Sequence, residues 1–208
     1  MVVGSNMKNK RSKNQVDFDE LFAQKEDDDP RFVAISFDYT GAMRIKGYEE
    51  AIQVLKKHIL KTGGNNGIVY PLAFVCRHAV ELALKESIVD ACKLEDKVIP
   101  QKIWSTHDFV RLINILESTF PRLKKDRGWP KAKTFLYKWD SADPNGEFTR
   151  FSRDTEGNSI QSKENVYVGR ILENSIYCVD FLEGLLTGLY EEYNIKTEID
   201  QEMRSNMY

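Results

Sequence analysis

Apolar positions recur at intervals of three and four through four stretches of the chain, the spacing of one face of an α-helix. From Gly47 to Lys61, Ala51, Ile52, Leu55, Ile59 and Leu60 share one side, and the following TGGNNG supplies glycines suited to positive φ. From Tyr70 to Ile88, YPLAFVCRHAVELALKESI places Leu72, Val75, Cys76, Ala79, Leu82 and Ala83 on one broad arc. Arg77, His78, Glu81 and Lys85 share the opposite arc, so the charges do not interrupt the core. Phe74 and Ile88 interleave with the polar arc, which predicts a cover from elsewhere in the chain or from a second subunit. A third helix follows THD, where Thr106 or Asp108 can cap and Phe109, Leu112, Ile113 and Leu116 form the stripe. The longest pattern runs from Lys163 to Tyr193, a helix of roughly 30 residues and about 45 Å. Gly184 and Gly188 lie four apart in it, a spacing that admits close helix approach at a propensity cost of about 1 kcal/mol each.

Between the third and fourth stripes the pattern changes. A short helix is expected from Pro130 to Trp139, but DPNG and DTEGN are turn signals that bracket EFTRFSRD. Phe148, Arg150 and Ser152 alternate there with Thr149, Phe151 and Arg153, which predicts an extended or hairpin-like insertion. The fold expected is all-α, an up-and-down bundle of four to five helices over residues 47–195. A basic, disordered tail (1–14), an arm with a short helix capped by Asp17 and an extended RFVAISFDY segment (15–46), and a charged C-terminal tail (196–208) flank it.

Composition narrows the class. With 41% hydrophobic and 11% aromatic residues among 208, the chain can bury a core. A net charge of -2 supplies no global field for nucleic acid or an anionic membrane, so such contacts must be local. Cys76, Cys92 and Cys178 are widely spaced and odd in number, as expected of reduced thiols in a cytoplasmic protein. The N-terminal positive charges lack a following apolar run, and no secretory leader or membrane association is expected.

Three stretches taken together, YPLAFVCRHAVELALK, STHDFVRLINIL and DPNGEFTRFSRDTEGN, resemble the HEPN-like helical-bundle proteins of bacteria over roughly Gly47 to Tyr193. The resemblance implies a dimeric all-α bundle from a toxin–antitoxin or antiviral-defence system, in many members a metal-independent ribonuclease, sometimes with a partner encoded by a neighbouring gene. The nuclease branch carries Arg followed after four to six residues by His. This chain departs from that motif: its histidines are His58, His78 and His107, and no Arg stands at that spacing before any of them.

Metal-free RNA cleavage needs a base for the 2′-hydroxyl proton and cations for the developing phosphorane charge. Arg77, His78 and Glu81 are the candidate catalytic set, with Lys85, Arg150 and Arg153 as phosphate-binding groups and His107 and Asp108 as a secondary pair. Each has a structural alternative: Arg77, Glu81 and Lys85 as an i,i+4 charge ladder, Asp108 as a helix cap, Arg150 and Arg153 as ion-pair partners of nearby acids. Scattered histidines and the absence of HExxH or a cysteine pair give no expectation of a metal or cofactor. TGGNNG lacks the Lys-Ser/Thr of a phosphate loop.

Overall fold

The structure, a computed structural model, describes residues 41–63, 66–151, 156–159 and 167–206. The expected tail, arm helix and extended segment before residue 41 lie outside them. Six α-helices are described: α1 (Gly41–Thr62), α2 (Asn66–Leu94), α3 (Phe109–Thr119), α4 (Trp129–Ala142), a single turn α5 (Glu147–Arg150) and α6 (Val168–Ser205). No strand pairs into a sheet among the described residues, as an all-α core requires.

α2 is the axis of the bundle and packs against α6, α1, α3 and α5. It is long and apolar enough by composition to cross a membrane, yet here it is the helix the others enclose. Cys76, Ala79, Val80, Ala83, Leu84 and Ile88 are fully buried, and so nearly are Arg77, Glu81 and Lys85 on the opposite arc. Enclosure on both arcs is why the polar residues had to find partners. Gly63, at φ +76°, ends α1 in the left-handed conformation that TGGNNG predicts.

The topology departs from a simple up-and-down order. α1 is antiparallel to α2, with Gly41 beside Glu86 and Tyr48 against His78. The connection after Leu94 then returns along the bundle, because α3 starts at Glu81 through His107 and ends where Lys97 bonds the carbonyls of Ser118 and Thr119. α3 therefore runs in the direction of α2, and so does α6, whose Lys196 reaches the Leu94 carbonyl. That return brings His107 to the middle of α2.

Two further expectations are corrected. The segment expected to be extended begins as helix: Gly146 takes φ +70°, Glu147–Arg150 form one turn, and Phe151 alone closes it in an extended conformation. Alternation over four residues does not outweigh the turn set up by Pro144 and Gly146. The charged tail is also helical, since α6 continues through 38 residues to Ser205. Polar residues on a helix that overhangs its bundle cost little, so composition alone misplaced that boundary.

A second buried carboxylate lies between α3 and α4. Glu117 accepts hydrogen bonds from the indole Nε1 of Trp129 (2.8 Å) and from Lys133 Nζ (2.7 Å), with Lys124 Nζ at 3.8 Å.

Candidate functional site

Glu81 organises the polar arc. From α2 its carboxylate takes a hydrogen bond from Lys85 Nζ at 2.8 Å, the i,i+4 neighbour. Its two oxygens lie 2.9 and 3.1 Å from Nδ1 of His107, in the segment just before α3. Burial pushes the Glu81 carboxyl up, but the Lys85 bond and charge and the approach of His107 more than offset it and hold it below the ordinary carboxylate value. The carboxylate is thus an anion set against one ring nitrogen of an imidazole whose side chain is 39% exposed. With Nδ1 committed as donor to Glu81, the lone pair belongs to Nε2 on the other edge of the ring.

Arg77 works behind this pair. Its Nη2 donates to the His107 carbonyl at 2.8 Å and lies 3.7 Å from Asp140 Oδ1 on α4. Its guanidinium sits 4.1 Å over the Phe109 ring. Asp140 Oδ1 also accepts the Phe109 amide at 2.8 Å, so Arg77 and Asp140 together fix the first turn of α3. Gly146 completes the enclosure, because a Cβ there would fall 2.6 Å from Arg77 Nε. Burial lowers the Arg77 pKa, opposed by the charges of Asp143, Asp140 and Glu81. The expected Arg77–Glu81 rung of a ladder does not form; Arg77 turns instead to α3 and α4, and only the Glu81–Lys85 rung remains.

His78 is half-buried between two rings, stacked on Phe74 (5.8 Å) and edge-on to Tyr48 (4.7 Å). Burial is the main cause that lowers its pKa, opposed by Glu81 and reinforced by Lys85, His107 and Arg150. Those influences place His78 within electrostatic reach of the Glu81 cluster and of α5. Arg150 is exposed, donates through Nε to the Gly146 carbonyl at 3.0 Å and lies over the Phe151 ring. Arg153 lies outside the described residues. Asp108 caps α3, its Oδ1 accepting the Arg111 amide at 2.8 Å, while Thr106 Oγ1 accepts the Asp108 amide.

The structure therefore gathers Arg77, His78, Glu81, Lys85, His107 and Arg150 around one stretch of α2. It reverses their order: His107, expected as secondary, holds the exposed imidazole, and Arg77 is sealed from solvent. Asp140, absent from the candidate set, positions both. Its signal in the sequence was slight, one carboxylate in KWDSADP with no spacing to relate it to Arg77. Away from this site Glu49, Asp180 and Glu183 bring carboxylate oxygens within 4.8 Å of one another, and Lys46 pairs with Glu49. No family model, curated protein or solved structure matches the chain.

Proposed function

We propose that the chain is a HEPN-like protein of a bacterial defence or toxin system that binds RNA and cleaves it without a metal, with His107 as general base. The observation that carries this reading is the Glu81–His107 contact, a buried anion fixing Nδ1 of a partly exposed imidazole. Nε2 takes the proton of a ribose 2′-hydroxyl, the 2′-oxygen attacks phosphorus, and the P–O5′ bond breaks. The products are a 2′,3′-cyclic phosphate and a 5′-hydroxyl protonated by water. Glu81 stabilises the imidazolium formed, and Arg150 supplies positive charge at the rim, where phosphate oxygens gain negative charge. Arg77 positions His107 through its carbonyl and does not touch substrate.

Single-stranded RNA is incubated with wild type, His107→Ala and His78→Ala in the presence of a chelator. Cleavage by wild type that His107→Ala abolishes supports the reading, as does binding of RNA that Arg150→Ala weakens. Equal cleavage by wild type and His107→Ala removes it.

A second reading, a non-catalytic helical module that docks a partner, draws on the burial of Arg77, Glu81 and Lys85, which suits a purely structural network. Its signature is a wild-type protein that neither binds nor cuts RNA while Arg77→Ala unfolds it.

A further inference from the structure

The C-terminal part of α6 carries an apolar stripe that nothing in the described bundle covers. Ile195, Ile199 and Met203, spaced by four, are 57%, 50% and 54% exposed. Lys196 bonds Leu94 and pairs with Asp96 at the end of α2, so the residues beyond it overhang the bundle. On a wheel of 100° per residue Gly188 and Gly184 share the face of Ile195 and Ile199. A Cβ at either glycine would meet nothing within 4 Å, so the helix presents there a shallow, open notch. One face of one helix thus holds a ridge and, further back, a hollow.

We propose that this face pairs antiparallel with the same face of a second copy of the chain. Antiparallel alignment about the middle of the segment sets Ile199 of one copy against Gly188 of the other and Met203 against Gly184, since both pairs are four apart. The same operation meets Ile195 with Glu192 at the centre, and the two-fold axis repeats every contact. Each bulky side chain enters a gap left by a missing one, which lets the helix axes approach near the lower end of the usual 8–10 Å.

Charge selects a second copy in this direction. The overhang bears Glu198, Asp200 and Glu202, which a parallel pair would stack against themselves. The antiparallel pair lays them along Gly184–Leu189 of the partner copy, which contains no charged residue, and brings Glu191 level with Lys196. A seam of about 20 residues extends roughly 30 Å and buries on the order of 600–800 Å² per copy, close to what a specific interface needs.

The full-length chain is followed by sedimentation velocity from about 1 to 100 µM, a range that captures micromolar association. A dimer is expected, and Ile199→Glu and Gly188→Leu should each weaken it about tenfold or more with helical content unchanged. The register is read by mixing Gly188→Cys chains with Ile199→Cys chains under oxidation, the native cysteines all being buried. A mixed cross-link in preference to either self-link supports the proposal. A monomer throughout the range overturns it, as does a dimer indifferent to both substitutions or one that cross-links Ile199→Cys to itself. A monomer whose Ile199→Cys thiol resists modification also overturns it, and assigns the stripe to another part of the same chain.

Discussion

Two glutamates, Glu81 in α2 and Glu117 in α3, are buried to nearly the same degree and solve the same problem by different means. Each is held below the ordinary carboxylate value because bonded cations offset the cost of burial. Glu117 is satisfied by an indole and two lysines, donors that stay protonated at neutral pH and offer no lone pair. Glu81 spends one side of its carboxylate on Lys85 and the other on His107, whose second nitrogen can accept a proton. The lesson is that burial and a shifted carboxyl do not by themselves mark a chemical site. What distinguishes Glu81 is the partner that still has a free valence, set beside His78 and Arg150.

Substitutions that separate the two clusters sharpen this difference. Glu81→Ala should cost most, about 3–5 kcal/mol in urea unfolding, because it leaves the Lys85 ammonium in the interior without its anion. Glu117→Ala should cost less, about 1–3 kcal/mol, since Lys124 is well exposed and Lys133 partly so, leaving the Trp129 indole as the group stranded in the core. It should leave any RNA binding untouched; equal losses of stability and binding in both variants would erase the distinction.

Acid provides the next test. A carboxyl whose folded pKa is lowered contributes stability above its ordinary value of 4.5 and loses it as pH falls through the lower folded value. Glu81→Gln and Glu117→Gln should each flatten part of the acid limb below about 4.5. His78 acts in the same direction but earlier: with its folded pKa lowered, stability begins to fall as pH drops below the ordinary 6.5, and His78→Asn should remove that step. The smallest effect on stability is expected from His107→Ala, under about 1 kcal/mol for a partly exposed ring, with a loss of roughly 10² or more in RNA cleavage. A variant that unfolds would instead make His107 a structural prop.

Much of the fold was legible because helices announce themselves locally. The stripe after THD gives α3 with Asp108 as its cap, and the Trp129–Ala142 helix nearly coincides with the segment predicted from Pro130. Local signals could not tell that the connection after α2 doubles back, and that path alone joins Glu81 to a histidine 26 positions later. The wheel correctly grouped Arg77, His78, Glu81 and Lys85 but could not distinguish a solvated face from one enclosed by α3 and α5. Arg77 illustrates the limit: the same residue type serves equally for gripping a phosphate and for anchoring a helix start, and only Phe109, Asp140 and Gly146 around it decide.

The central claim concerns a single proton. Nitrogen-15 correlation spectra of the His107 ring should show Nδ1 protonated and Nε2 carrying the lone pair, with Nε2 shifting when a non-cleavable single-stranded RNA bearing 2′-methoxy groups is added and the preference weakened in Glu81→Gln. A ring protonated at Nε2 with a bare Nδ1, or one blind to RNA that binds elsewhere on the protein, would contradict the account.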